Sequence, residues 1–285
     1  MASVLITGAS TGIGRQCALD LARTGWQVFA GVRNPADGEA LVSAGSGHII
    51  PVIIDVTDAD TIGQAAKKLE TDLAGKGLDA LVNNAGITVQ GPLEFVPLAM
   101  FETQMKVNVT GQLAVTQAIL PLLRKAKGRI VFMSSESGRN TLPLLGPYSA
   151  SKFALEAVAN ALRLELLPSG IRVCLIEPGS AKTDIWTKAS KNSVRIIDAM
   201  PEQAKQLYAK ELKLLTRLPE KINKVAFPPE KVSKAVRHAL TARRPRIRQV
   251  VGMQAKILVL FHHLFPTRLT DWVTVKIMGL LARWL

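Results

Sequence analysis

Apolar runs of three to six residues alternate with longer stretches of helical period through the first 180 positions. Val4-Leu5-Ile6, within 3–7, is a short apolar strand that enters a glycine-rich turn. Ile13, Cys17, Leu21 and Ala22 then recur at helical spacing across 12–24. The same reading gives strands at 28–32, 49–54, 80–82, 129–133 and 172–176, with Gln249 to Val251 as a last one. Helices are expected from about 58 to 74, with Thr57 and Asp58 as capping candidates, from 100 to 125, and from 148 to 167. Pro178 and Gly179 are expected to end the sixth strand. Strands that are apolar on both faces belong to a parallel sheet covered on both sides. Right-handed crossovers then make an α/β fold, a Rossmann-type doubly wound sheet of about seven strands in a single domain.

Past 182 the period weakens and Pro201, Pro219, Pro228 and Pro229 interrupt it. This predicts helices and loops over the mouth of the sheet, a substrate lid at about 182–230 within a catalytic domain of 1–250. Residues 251–285 are an apolar and basic helical extension. Val251, Ile257, Leu260, Phe261, Leu264 and Phe265, then Trp272, Val275, Ile277 and Trp284, are broken by Lys256, Arg268, Lys276 and Arg283. Such a pair of helices fits a membrane interface, a partner subunit or the protein's own core. Pro266, Arg268 and Asp271 argue against a membrane span, which needs about 20 apolar residues. Val4 to Ile6 run into the glycine turn and are the first strand, not a secretion signal. The expected location is cytoplasmic, with peripheral membrane association.

Charge changes the picture in one respect. Residues 1–181 balance 15 basic against 15 acidic side chains, and 182–285 hold 21 against 7, so the whole +14 lies in the last third. A nucleic-acid binder has such a total, but the excess avoids the half that carries the chemistry, so no nucleic acid is expected. A basic face near the substrate, contact with anionic lipid, or a solvated face each account for it. Cys17 and Cys174 lie in apolar runs and form no CxxC, and the four histidines have no ligand spacing, so neither a disulfide nor a metal is expected.

The chemistry-bearing residues fall at the ends of the strands. Gly8, Gly12 and Gly14, with Ser10, Thr11 and Ile13, sit between strand and helix, where bare backbone N–H groups can meet a pyrophosphate. Arg33 follows strand two, where an NAD site usually has an acid. A guanidinium there suits a 2'-phosphate, so NADP is preferred and NAD is the alternative. Asp55-Val56 after strand three is placed for the adenine, and Asn84-Ala85-Gly86 after strand four allows close approach of a ligand. Tyr148 and Lys152 are one helical turn apart. The ammonium is expected to lower the phenol's pKa from about 10, which lets Tyr148 exchange a proton with a carbonyl or hydroxyl oxygen. A serine hydroxyl at 134, 135 or 137 could hold that oxygen.

Thr7 to Gly14, Asp55, Asn83 to Gly86, Asn108, Ser135, Tyr148, Lys152, and Pro178-Gly179 through Thr183 together resemble the short-chain dehydrogenase/reductase family over residues 3 to about 185. The resemblance implies Asn108, Ser135, Tyr148 and Lys152 as catalytic. It selects Ser135 by its thirteen-residue gap to the tyrosine, gives Asn108 a water in a proton relay through Lys152, and gives Thr183 the cofactor's carboxamide. Thr11 departs from members that carry a second basic residue in the turn. V-F-A-G-V-R-N-P-A-D-G at 28–38, with the tail, resembles the retinol- and 17-beta-hydroxysteroid-dehydrogenase-like branch. That branch implies a lipophilic alcohol, ketone or aldehyde as substrate, with Leu142, Leu144, Leu145 and Trp186 lining its pocket. The family also implies a homodimer or homotetramer through the helices at 100–125 and 148–167. The competing expectations are a dinucleotide-binding regulatory or scaffold protein with a silent site, and an NAD-dependent dehydrogenase of a smaller hydroxy compound.

Overall fold

The computed structural model describes residues 1–45, 47–213, 215 and 226–283, with the side chains of 188, 191 and 278–283 left aside. Residues 216–225 of the expected lid, and Trp284 and Leu285 of the tail, lie outside the described residues. Seven parallel strands form one sheet in the order β3-β2-β1-β4-β5-β6-β7. They are β1 Ser3–Ile6, β2 Gln27–Val32, β3 Ile49–Ile53, β4 Ala80–Asn83, β5 Arg129–Met133, β6 Arg172–Pro178 and β7 Arg248–Val251. β1 pairs with both β2 and β4, Val4 lying between Val28 and Ala80. The chain therefore winds outward in both directions from β1.

Successive side chains of a strand point to opposite faces, and here each face has its own core. Val4, Ile6, Val28, Ala30, Val82, Val131 and Ile176 meet helices α1 (Gly12–Arg23), α2 (Pro35–Ala44) and, near the end of the chain, Glu230–Thr241. Leu5, Phe29, Leu81, Phe132 and Leu175 meet α3 (Ala59–Asp72), α5 (Gly111–Ala126) and α6 (Gly146–Glu165). This explains why the strands read as unbroken apolar runs. Cys17 and Cys174 are free and buried in the first of these cores, as expected of core residues.

The structure differs from the sequence expectations at four places. The first is α2, which the periodicity did not reveal because only Gly38 and Leu41 in it are buried. Its start is nevertheless encoded, since Asn34 accepts a hydrogen bond from the Ala36 N–H and Pro35 opens the helix. The second is the cap of α3. Asp58 caps it, whereas Thr57 turns back and donates to the Asp55 carboxylate. The third is the helix expected at 100–125, which is α4 (Leu98–Met105) and α5 joined by a π-helical turn, Lys106–Thr110, centred on Asn108. Gly111 follows because a Cβ there would stand 2.5 Å from the Val56 carbonyl. The fourth is β6, which continues through Pro178 because β7 pairs with its end, Glu177 with Val250 and Pro178 with Val251.

Beyond β6 come α7 (Ile185–Ala199) and α8 (Glu202–Leu207), followed by α9 (Glu230–Thr241), α10 (Met253–Leu264) and α11 (Thr267–Arg283). No helix among the described residues is long and apolar enough to cross a membrane.

One buried charge cluster binds α6 to the sheet edge. Glu156 of α6 and the fully buried Glu177 of β6 both pair with Arg248 of β7, the latter at 3.0 Å, and Arg139 reaches Glu177 at 3.6 Å. Burial and the neighbouring Glu156 raise the Glu177 carboxyl above its usual pKa, against the pull of the two arginines. Removing one partner of a buried pair costs about 3 kcal/mol or more. Arg248→Met is therefore expected to lower the urea unfolding free energy by about that much at neutral pH. The raised carboxyl holds its proton more tightly in the folded state, so its ionisation opposes folding as pH rises. The deficit of the variant should thus shrink at acidic pH, and a pH-independent deficit would contradict this account.

Candidate active site

A cleft of about 830 Å³ opens at the carboxyl ends of β1 to β6. Ligands bind at this edge in doubly wound sheets, where the strand order reverses. Gly8, Ser10, Thr11, Gly12, Ile13, Arg33, Asp55, Val56, Asn84, Ala85, Gly86, Ser135, Tyr148, Lys152, Pro178, Gly179 and Thr183 all line it. Gly14 and Asn108 do not; they stand behind its wall.

Gly14 shows what the turn after β1 requires. A Cβ there would lie 2.2 Å from the Gly8 carbonyl oxygen and 2.4 Å from Asn84 Nδ2. Asn84 Nδ2 donates to the carbonyls of Thr7 and Gly8 at 3.0 and 3.1 Å, and Thr7 Oγ1 accepts from the N–H groups of Asn84 and Ala85. The Asn-Asn pair is thus a structural stitch. Asn84 joins β1 to β4, and Asn83 donates to Thr116 of α5 at 2.8 Å. Gly8 and Gly12 adopt left-handed φ values of 64° and 57°. Gly12 also meets Thr183, whose Cβ and Cγ2 would be 3.2 Å from an added Cβ. Thr11, at the N-cap of α1, makes no side-chain cap bond, and the first turn carries no acid. The N–H groups that open α1 face the cleft with nothing from their own cap to satisfy them, which suits an anion.

Charges divide the cleft. At the β2–β3 end, burial would raise the Asp55 carboxyl, but Thr57's N–H and hydroxyl and the charges of Arg33 and Lys106 hold it below its usual pKa. Lys106 is a second cation here that the sequence did not single out. It lies on the π-helical turn, and no local pattern announces that this turn faces the cleft. At the β5–β6 end stands Glu136, half-buried, its carboxyl pushed up to about 7 by burial. No motif in the sequence singles it out.

Between the two lie Ser135, Tyr148 and Lys152. Lys152 is buried and donates from Nζ to the Met133 carbonyl at 2.8 Å, with Nζ 5.7 Å from the Tyr148 ring centre. Burial lowers its pKa to about 8, partly offset by Glu156 one turn along α6. Tyr148 goes the opposite way from the sequence expectation. Burial pushes the phenol up to about 12, Ser135 counteracts this in part, and Glu136 adds to it. Lys152 does not reverse the trend because its own lowered pKa leaves it neutral at the pH where the phenol would ionise. Ser134 and Ser137 also line the cleft, but Ser135 is the serine whose hydroxyl acts on the phenol. Its Oγ accepts from the Ser137 N–H at 3.2 Å and donates to the Pro178 carbonyl at 3.4 Å.

Asn108 is committed to structure through its side chain. Oδ1 accepts from the Ile87 N–H, and Nδ2 donates to the Ile87 carbonyl and to Ser151 Oγ, at 2.9, 2.9 and 3.0 Å. It ties the loop after β4 to α6 one residue before Lys152. Leu142, Leu145, Ile185 and Trp186 line the apolar wall. Leu144, expected beside them, instead packs with Met200, Ala204, Leu212 and Leu215. No group of three or more potential metal ligands occurs among the described residues.

This fold and cleft define an NAD(P)-dependent oxidoreductase acting at CH–OH or ketone carbon. The chain belongs to the short-chain dehydrogenase family, whose profile matches residues 2–194, and it is related to the retinol-dehydrogenase-like branch. It is 36% identical to retinol dehydrogenase 5 of Mus musculus, over 97% of this chain and 89% of that protein. It is 33% identical to an NADPH-dependent 3-dehydrocapnine reductase of Ornithobacterium rhinotracheale, over 97% of each. A solved short-chain dehydrogenase from Streptomyces avermitilis superposes with a TM-score of 0.77 at 26% identity, covering 96% of this chain and 97% of that one.

The chain has two tyrosines, Tyr148 and Tyr208. A Tyr208→Phe variant therefore isolates the buried phenol. Ultraviolet titration of the ligand-free variant at about pH 10 should find only about a hundredth of it ionised, where an ordinary phenol is half ionised. Half ionisation at that pH would show that burial does not control this group.

Proposed function

We propose that the protein is an NADP(H)-dependent oxidoreductase of lipophilic alcohols and ketones or aldehydes. The observation that carries this reading is the placement of Ser135, Tyr148 and Lys152 in the same cleft as the uncapped start of α1. In this reading Ser10 to Ile13 and the first turn of α1 hold the diphosphate, with Gly8 and Gly14 shaping the turn. Asp55 and Val56 flank the adenine, and Asn84, Ala85 and Gly86 line the path to the nicotinamide. Pro178, Gly179 and Thr183 meet its carboxamide. Bound there, the nicotinamide supplies or accepts the hydride.

Arg33 and Lys106 together favour a 2'-phosphate, and thus NADP over NAD, because both charges already act on Asp55. Lys106 supplies the second cation that the glycine turn lacks at Thr11. The name of the Ornithobacterium relative, an NADPH-dependent reductase, supports the same choice. The retinol dehydrogenases among the relatives, and the wall of Leu142, Leu145, Ile185 and Trp186, support a lipophilic substrate.

The proton chemistry falls to this chain. Ser135 Oγ holds the substrate oxygen. A phenol at about 12 is fully protonated at neutral pH, so Tyr148 Oη is poised to donate during reduction. In the oxidative direction the same oxygen must lose its proton first, which calls for added positive charge nearby. Lys152 refills the phenol, directly or through water, while it remains charged below about pH 8. Asn108 positions this pair by fixing Ile87 and Ser151.

Tyr148→Phe should retain NADPH binding, read by the cofactor's fluorescence, while kcat on a lipophilic ketone falls by a factor of about a hundred or more. In the same assay, Arg33→Asp should turn the preference for NADPH over NADH towards NADH. Full turnover by the phenylalanine variant would sink the mechanism, and an unchanged cofactor ratio would remove Arg33 from it.

A second observation supports contact with an anionic membrane. Met253, Ile257, Leu260 and Leu264 are exposed at helical spacing on α10, and Phe265, Leu269, Trp272 and Val275 continue the stripe onto α11. Lys256, Arg268 and Lys276 flank it against one acid, Asp271. Exposed apolar area bordered by cations suits the plane of an anionic bilayer. Sedimentation with phosphatidylcholine vesicles should require added phosphatidylserine, weaken with salt, and be lost in Ile257→Ser/Leu260→Ser. Binding that ignores both the lipid and the substitutions, or a stripe that is covered by self-association, would overturn this.

A further inference from the structure

We propose that Glu136 recognises a protonated amine on the substrate close to the reacting carbon, so that the natural substrates are amphiphilic amino alcohols or amino ketones carrying a hydrocarbon chain. The inference rests on the oxidoreductase reading of this cleft and specifies what enters it.

Glu136 follows Ser135 directly and lines the cleft. Its Oε2 lies 3.3 Å from where a Cβ on Gly179 would stand, so the carboxylate sits at the end of β6, beside the reacting groups. Its charge acts on Tyr148. Yet no hydrogen bond or ion pair reaches this carboxylate from the described side chains. Its neighbours are otherwise engaged. Arg139, on the same turn, is paired with Glu177, and Arg248 is shared between Glu156 and Glu177. Lys152 donates to the Met133 carbonyl, and the cleft's other cations, Arg33 and Lys106, act on Asp55 at the far end. The other titratable side chains of the cleft near this end are Tyr148 of α6 and Asp184 before α7, and the rest of its polar lining there is serine, threonine and Gln254 of α10. None of them is a cation.

A carboxylate held in low dielectric without a partner is costly. This one also raises the proton affinity of Tyr148, which opposes loss of the phenol proton. An arriving ammonium removes both penalties. It gives Glu136 charge-assisted N–H donors, and its positive charge favours the phenolate. The same cleft supplies Leu142, Leu145, Ile185 and Trp186 for an attached hydrocarbon chain. A neutral retinoid-like or steroid-like alcohol would satisfy that wall and leave Glu136 uncompensated.

The test uses the full chain with NADP and two matched alcohols. One is a dodecane amino alcohol with its amine on the carbon next to the hydroxyl, and the other is the dodecanol that lacks the amine. The wild type should favour the amine in kcat/KM by about tenfold or more, the worth of a hydrogen bond to a charged group. That preference should grow as pH rises through about 7, where Glu136 ionises. Glu136→Gln should lose about tenfold or more on the amine while its loss on the neutral alcohol is smaller. Glu136→Asp should recover part of the preference, and thermal melting confirms that both variants fold. Turnover of the neutral alcohol with no preference for the amine overturns the inference and leaves the oxidoreductase reading standing. An equal loss on both alcohols overturns it too, because Glu136 would then serve the cofactor or the fold. Should neither alcohol turn over, calorimetry with dodecylamine on the NADP complex decides. Binding that depends on Glu136 sustains the cation site and counts against the alcohol reading, and absence of such binding overturns the inference.

Discussion

The cleft floor depends on the approach of Gly14 to the Gly8 carbonyl and the Asn84 side-chain amide. With no Cβ at 14, the start of α1 lies directly over the end of β1, and Asn84 bridges from β4 to the Thr7 and Gly8 carbonyls. β1 and β4 are the strands between which the winding reverses. The gap that this topology leaves at the sheet edge is thereby closed below by hydrogen-bonded backbone and left open above. Everything that lines the cleft is measured from that floor. The turn puts the α1 N–H groups on one side, and Asn84 leads to Gly86, where an added Cβ would lie 3.4 Å from Asn108 Oδ1 and 3.9 Å from Lys152 Nζ. Asn108 then fixes α6 through Ser151. One chain of contacts thus runs from the glycine turn to the proton-transfer pair.

Burial, more than pairing, sets the charges along this chain. Tyr148 and Lys152 are both displaced towards their neutral forms, to about 12 and about 8. Lys152 is charged below about pH 8, and the fixed charge around the pair is unevenly distributed. Arg33 and Lys106 stand at the β2–β3 end, while the reacting end holds Glu136, which has no ion pair among the described side chains. Deeper in, Glu156 and Glu177 are matched by Arg248 and Arg139. The same chain therefore neutralises its structural carboxylates and Asp55, and leaves Glu136, at the reacting end of the cleft, without a partner among the described side chains.

What the sequence revealed follows from what is periodic. Strands buried on both faces read as apolar runs, so all seven could be placed within two residues at each end, β7 among them as Gln249 to Val251. The glycines, Tyr148 and Lys152 were legible because their spacing is rigid on a strand end or a helix turn, whereas Ser135 was picked out from three serines by the family resemblance. α2 was not, since it buries too little to carry a period. Lys106 and Glu136 were missed for a different reason. Their importance lies in facing a cavity assembled from strands far apart in sequence, and neither a lysine before a valine nor a glutamate among serines announces that. The sign of the Tyr148 shift was misread because a sequence displays neighbours along a helix but not depth, and depth decides the balance between an ammonium four residues away and the loss of water.

The C-terminal extension is joined to the chemistry by a contact that no motif contains. Ala255 of α10 packs so closely on Gly179 that a Cβ at 179 would lie 2.9 Å from its own, and Glu136 Oε2 meets the same point at 3.3 Å. Gln254, the residue before, lines the cleft. The first turn of α10 is therefore part of the wall at the reacting end, while its opposite face begins the exposed stripe at Met253 and Ile257. One helix thus carries both the exposed stripe and part of the cleft wall, and Gly179 is the point at which it meets the neighbourhood of Glu136.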